Sequence, residues 1–311
     1  IRREIKLLKS ANSQLVADYK DNTTSFIDIS KLISTNGDWA QVYKVDPKNA
    51  GILIDSWRNY KRNFIKDSGQ VIDLNTYSTT SEGQSYAMLR SITMNDKVTF
   101  DKVWKWTQEN LQVRKDDKLF AWKVKLDEKG NNHVADTNSA SDADQDIAFA
   151  LYQAHQKWGD KKYLTSSQQI VNDIWGKEVI KRNGTLYLVS GGDKLKNNKL
   201  LVNPSYISPR SYKTFAKIDP KHDWKKLTDD SYKLLEELQR KSEAGLFSNW
   251  IAVEPDGTMI SANKLVSSAD SFGYDAFRVA WRMADDIDDP RAQTIIEKLN
   301  SFYLSEWSKN Q

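Results

Sequence analysis

Apolar residues recur along most of this chain at intervals of three and four, the spacing of helices that bury one face. From Ile52 to Ile65, the series Leu53, Trp57, Tyr60 and Phe64 predicts one such helix. Thr99 is placed to cap another that carries Phe100, Val103, Trp104, Trp106 and Leu111. Ser141 to Trp158 is periodic through Ile147, Ala148, Leu151, Tyr152 and His155, and Gly159 ends it. Further helices are expected over Arg3 to Tyr19, Ser81 to Thr93, Leu164 to Val179, Trp224 to Gln239, Phe272 to Ala284 and Ala292 to Trp307. With weaker segments included, the pattern predicts about a dozen. Strand-like pieces are short, near Thr185 to Val189 and Trp250 to Val253.

Strands and helices do not alternate, which argues against a parallel α/β sheet. The six prolines are scattered and no low-complexity linker divides the chain, so one all-α domain over residues 51–311 is expected. Residues 1–50 are polar and weakly periodic, and read as an N-terminal extension of unknown role. No clean repeat marks a solenoid.

Charge and composition narrow the function. The net charge of +4 is the small difference between 46 basic and 42 acidic residues. The densest basic stretches, Lys194 to Lys199 and Lys217 to Lys226, are interrupted by Asn, Asp and Pro, and read as solvated loops. No concentrated basic stripe suggests nucleic acid. With no cysteine, disulfides, thiolate metal sites and cysteine nucleophiles are excluded. His133, His155 and His222 lie far apart without metal-ligand spacing, and Gly191-Gly192 reads as a turn. Neither a metal nor a cofactor is expected. No stretch approaches the roughly 18 apolar residues of a membrane span. The chain begins Ile1-Arg2-Arg3, which fits removal of a signal peptide or anchor and an extracellular or cell-envelope location.

The eleven tryptophans are many for 311 residues. Core packing explains most of them, but a Trp face can also lie flat against a sugar ring. Trp122, shortly before Ser139, and Trp250, shortly before Phe272, are the two expected platforms.

Three segments place acids at the start of an otherwise apolar helix: Thr80 to Tyr86 with Glu82, Ser139 to Asp146 with Asp142 and Asp144, and Phe272 to Arg278 with Asp275. Each has a purely structural explanation. Ser81-x-x-Gln84 fits a capping box with Glu82 as a first-turn acid, and Ser141-x-x-Asp144 fits a similar cap. Asp275 and Arg278 fit an i,i+3 surface pair. Taken together, they suit cleavage of a glycosidic bond. That reaction needs one carboxylic acid for the leaving oxygen and a second carboxylate to attack the sugar or to activate water. A helix N-terminus lowers a carboxyl pKa, whereas a general acid needs it raised. If Glu82 is the acid, burial and a neighbouring carboxylate such as Asp142 must outweigh the dipole.

Ser81-Glu82-Gly83-Gln84-Ser85-Tyr86, Ala140-Ser141-Asp142-Ala143-Asp144 and Tyr274-Asp275-Ala276-Phe277-Arg278 resemble, in order and spacing, the three signature regions of glycoside hydrolase family 8. The resemblance is strongest to the cellulase-like branch associated with bacterial cellulose-synthesis operons. It covers roughly Ile52 to Asp286 and includes Asn203-Pro204-Ser205-Tyr206. It implies an (α/α)6 barrel and an inverting hydrolase of β-1,4-linked polysaccharide, cellulose-like glucan first. By the same resemblance Glu82 is the general acid, Asp275 the general base, and Asp142 the acid that holds the cleaved sugar in a distorted ring. Tyr274, Arg278 and Tyr206 line the site. Ala280 stands where the family often has proline. The alternatives are a hydrolase of an amino-sugar biofilm exopolysaccharide and a non-catalytic carbohydrate-binding protein on the same fold. A monomer, in association with a cell-envelope polysaccharide synthesis system, is expected.

Overall fold

The computed structural model describes residues 47–127, 130–191 and 195–309. The chain divides into two units, 1–53 and 54–311. The expected helix over Arg3 to Tyr19, and nearly all of the expected N-terminal extension, lie outside the described residues.

Nine α-helices are present among the described residues, against about a dozen expected segments. They are α1 (Pro47–Phe64), α2 (Ser81–Thr93), α3 (Lys97–Asn110), α4 (Ser141–Trp158), α5 (Lys161–Glu178), α6 (Pro209–Ile218), α7 (Trp224–Lys241), α8 (Tyr274–Asp285) and α9 (Pro290–Lys309). Helix α6 was not expected. Its start is Pro209, whose fixed φ suits a first turn, and it takes up part of the basic stretch that reads as a loop. In the other basic stretch the described residues, 195–199, belong to the hairpin of β6 (Leu195–Lys196) and β7 (Lys199–Val202).

The helices pack as consecutive pairs, α2 with α3, α4 with α5, α6 with α7 and α8 with α9. The first members of the pairs also pack on one another, α2 on α4, α4 on α6 and α6 on α8. This is the inside–outside alternation of an α/α barrel. Each inner helix is followed by an outer one that runs back, so the inner helices run the same way and their N-termini share one end.

The core is mainly aliphatic, with large aromatic side chains set into it. Trp224 is fully buried, with its ring 5.1 Å from that of Phe215 and 4.9 Å from that of Trp175. Trp57, Trp104 and Trp106 are buried as well, whereas Trp122, Trp158, Trp175, Trp250 and Trp281 are half-buried and Trp307 is exposed. Full burial of such a side chain contributes roughly 1.5–3 kcal/mol or more. His222 stacks on Trp175 at 4.9 Å, and His155 Nδ1 lies 3.1 Å from the Asp160 carbonyl, both structural contacts.

Short strands fix the loops at the N-terminal end. Strand β1 (Ser78–Thr80) pairs with β2 (Lys123–Leu126), which pairs with β3 (Asn132–Asp136). Strands β4 (Val179–Arg182) and β5 (Thr185–Leu188) form a separate hairpin. Strand β7 pairs with β8 (Ile251–Val253), and β8 with β9 (Met259–Ser261). Among the described residues no helix is long and apolar enough to cross a membrane.

Candidate active site

Glu82 is positioned by the direct passage of β1 into α2. Thr80 is the last strand residue and the N-cap of the helix, and its Oγ1 accepts the Gly83 N–H at 3.1 Å. The expected capping box of Ser81 and Gln84 is therefore not formed. Ser81 Oγ instead donates to Glu82 Oε2 at 3.3 Å. Gln84 is buried, accepts the Val71 N–H at 2.6 Å and donates to Thr107 Oγ1 at 2.8 Å. These bonds tie the start of α2 to α3 and to the chain before β1. The cap of α3 also differs from expectation: Asp96, not Thr99, is the N-cap, because its carboxylate can reach the Thr99 N–H at 3.0 Å.

Asp142 lies in the first turn of α4 and is fully buried. That helix has no side-chain cap, so the expected cap of Ser141 and Asp144 is absent. Ser141 Oγ donates to the Val189 carbonyl at 2.6 Å, and Asp144 Oδ1 accepts the Phe120 N–H at 2.9 Å. Both polar groups hold neighbouring chain rather than their own helix.

Asp275 lies in the first turn of α8, whose N-terminus is held by Asn249. One oxygen, Asn249 Oδ1, accepts the N–H groups of Gly273 at 3.0 Å and Ala276 at 3.1 Å. Gly273 lets the amide come close, since a Cβ there would lie 2.9 Å from Asn249 Nδ2 and would push that side chain aside.

Arg278 joins the segments. Its Nη2 donates to Asp275 Oδ1 at 2.7 Å, and its Nη1 donates to Asp142 Oδ2 at 2.8 Å and to the Tyr86 hydroxyl at 3.0 Å. The guanidinium also lies over the Tyr206 ring at 5.3 Å. The i,i+3 pair with Asp275 is real, but it belongs to a half-buried network and is not a surface pair. One turn along both helices the arrangement repeats. Buried Arg282 forks onto buried Asp146 at 2.5 and 2.9 Å.

The electrostatics separate the acids. The Glu82 carboxyl is pushed up to about 7, chiefly by burial and next by the Asp142 charge. Those two effects outweigh the backbone hydrogen bond, the Arg278 charge and the Thr80 hydrogen bond that lower it. Burial also raises the Asp142 carboxyl, while Arg278 and Arg282 pull it back. The Tyr86 hydroxyl is driven to about 12, first by burial and then by Asp142. Tyr206 is raised well above the ordinary tyrosine value, mainly by burial, with Asp142, Glu82 and Asp275 all adding to it. All three acids thus act on one hydroxyl.

The aromatic expectations divide. Tyr206 follows β7 and Trp250 precedes β8. The Val202–Ile251 register brings them to the same end of the pair, with rings 5.6 Å apart, edge to face. Trp122 is half-buried beside the start of α2, where its carbonyl accepts the Ser81 N–H at 3.0 Å. Tyr274 differs. It is the first residue of α8 and stands 97% exposed, outside the hydrogen-bonded cluster around Arg278. Sequence reasoning assigned no role to Tyr86, Asn249, Asp146 or Arg282. The shared four-residue step of Asp142/Asp146 and Arg278/Arg282 was the available signal for the last two.

The model of glycosyl hydrolases family 8 matches residues 39–310, beginning ahead of the expected domain boundary at residue 51. An endoglucanase of Escherichia coli (strain K12) is 32% identical over 248 residues, 77% of this chain and 65% of that protein. An endoglucanase of Cellulomonas uda is 31% identical over 226 residues, 72% of this chain and 61% of that protein. The chain thus spans under two thirds of the length of these curated relatives. Among solved structures, an endo-β-1,4-glucanase from an Achatina fulica gut metagenomic library superposes with a TM-score of 0.72 at 31% identity, covering 80% of this chain and 77% of that one. The likeness extends the inside–outside helix pairing to the (α/α)6 barrel class.

Proposed function

The chain belongs to glycosyl hydrolases family 8, and on that premise we propose that it is an inverting, endo-acting hydrolase of β-1,4-linked glucan. One observation carries the reading. Glu82 holds its proton to about 7, next to a buried, arginine-bound Asp142, while Asp275 is half-exposed on the other arm of the same arginine.

In this reading Glu82 donates its proton to the glycosidic oxygen as the C1–O bond breaks. Asp275 accepts a proton from a water that attacks C1 from the opposite face, so a β linkage yields an α product. By the family resemblance Asp142 is the acid that holds the ring at the cleavage point distorted. Arg278 sets the distance between Asp142 and Asp275. Tyr206, Trp250 and Trp122 flank the chain of sugars. Carboxyl groups and water suffice for the reaction. A polymeric substrate supports action outside the cytoplasm, and a cell-envelope polysaccharide synthesis system is the partner this reading proposes.

The deciding experiment is incubation with a soluble β-1,4-glucan, read by viscosity, reducing ends and the anomer formed first. Rapid viscosity loss with an α anomer is expected. Binding without reducing ends would make this a carbohydrate-binding protein, and cleavage of chitosan alone would shift the substrate to an amino-sugar polymer. An early β anomer would remove Asp275 as the base.

A further inference from the structure

Behind the acid cluster lies a second pair of carboxyls that the proposed reaction does not use. Asp144 follows Asp142 by two residues, about 200° around the helix, so it faces away from Arg278. It is fully buried, as is Glu178, the last residue of α5. Each carboxyl gives one oxygen to a neighbour. Asp144 Oδ1 accepts the Phe120 N–H at 2.9 Å, and Glu178 Oε1 accepts the Ser139 hydroxyl at 2.7 Å. The remaining oxygens, Asp144 Oδ2 and Glu178 Oε2, are buried and reach no other donor, while the two carboxyls act directly on each other.

Two ionised carboxylates cannot persist face to face in such a place. Their repulsion is weakly screened, and each would lack a donor. The cation that faces them, Arg114, is already forked onto Asp117 at 2.7 and 2.9 Å and bonded to the Thr137 carbonyl at 2.7 Å. Asp142 adds a further negative charge toward Glu178. One proton resolves all of this, since a carboxylic acid donates to the carboxylate beside it and satisfies both free oxygens.

We propose that Asp144 and Glu178 share a single proton and act as a positioning pair that clamps the start of α4 to the segment bearing Trp122. The clamp joins four pieces of chain. Phe120 lies two residues before Trp122, Asp144 two residues after Asp142, Ser139 just before α4, and Glu178 closes α5. The fit is close, since a Cβ on Gly191 would lie 1.9 Å from the Ser139 carbonyl oxygen. The pair would thus fix the distance between the acid that grips the sugar and a wall of the cleft. That role rests on the proposed function; the shared proton does not.

Burial holds the Glu178 carboxyl up at about 7 and raises Asp144 well above the ordinary carboxylate range. A folded-state pKa above the unfolded value stabilises the fold fully below the unfolded pKa, and that contribution is lost as pH rises through the folded one. The pair therefore weakens the fold between about pH 4.5 and 7.

The test uses unfolding across pH 4.5–8 with Glu82→Gln as the background, which removes one raised carboxyl; those of Asp142 and Asp285 are also raised, but they are common to both arms and cancel in the difference between them. Adding Glu178→Gln supplies a permanent N–H in place of the shared proton. It is expected to keep the fold and to remove a slope of about tenfold in the folding constant per pH unit. In the otherwise native chain, Glu178→Gln and Asp144→Asn are expected to stay within a few-fold of native kcat/KM. Glu178→Ala and Asp144→Ala are expected to lose about 10²-fold through displacement of the site. An unchanged pH slope in E178Q overturns the shared proton. Amide variants as damaging as alanine would overturn it equally. If no variant hydrolyses glucan, the unfolding data still decide the pair, and only the proposed function fails.

Discussion

Arg278 donates from Nη1 to Asp142 Oδ2 at 2.8 Å across a separation of 136 residues, while its Nη2 holds Asp275 three residues away on its own helix. The planar fork lets one side chain fix two acids at once. A lysine, as a single point charge, cannot reproduce this. Arg278→Lys is expected to lower kcat by about 10²-fold, because misplacing a reacting group by about 1 Å has that effect. A variant within threefold of native kcat would show that the bridge does not set the catalytic geometry.

Glu82→Gln removes the proton donor while preserving its shape. Turnover is expected to fall by ~10² to 10⁴ with substrate affinity retained. Since the acid works only when protonated, and its carboxyl is held up at about 7, kcat/KM of the native chain should decline above that pH. A profile that stays flat to pH 9 would exclude Glu82 as the acid.

Asp275→Asn removes the proposed base and should suppress turnover by a similar ~10² to 10⁴. Rescue of the variant by azide, with a product of inverted configuration, would identify the lost group as the one that activates water. Undiminished turnover in Asp275→Asn would move the base to another residue.

Trp122 and Trp250 are both half-buried, but in different settings. Trp250 packs on the core and on Tyr206, whereas Trp122 faces Lys123, with the ammonium 4.9 Å from the ring centre. Trp122→Ala is expected to raise KM with little change in thermal stability. Trp250→Ala should raise KM and also lower the melting temperature, by up to the few kcal/mol of a truncated core aromatic. A Trp122→Ala variant with native KM and a large drop in stability would make it a core residue.

Arg282 and Asp146 are both only 2% exposed, so neither can be left alone cheaply. Arg282→Ala should destabilise the fold by about 3–5 kcal/mol, because it leaves Asp146 buried without a partner. Combining it with Asp146→Leu should recover much of that loss, as measured by denaturant unfolding. If the double variant is no better than the single one, the pair does not carry the effect.

The sequence by itself determined the local elements. A buried helical face must repeat at 3.6 residues, and that period marked Ser81 to Thr93 and Ser141 to Trp158 at the boundaries the structure has. It also carried the acids, since Glu82, Asp142 and Asp275 sit in first turns that motif order made recognisable. Helix α6 was hidden because it is only ten residues long and its last two, Lys217 and Ile218, fall in the basic stretch that reads as a loop. Only tertiary structure decided which neighbour each polar group would take. A cap such as Ser81 or Thr99 satisfies a local rule, but a nearby residue with better reach, Thr80 or Asp96, displaced each one. Gln84 and Asp144 lost their local roles to backbone groups brought in from distant chain, which would otherwise be buried unpaired. The protonation of Glu82 follows the same logic: the helix dipole that the sequence reveals lowers its pKa, and the burial and the Asp142 charge that raise it exist only once the inner helices share one end.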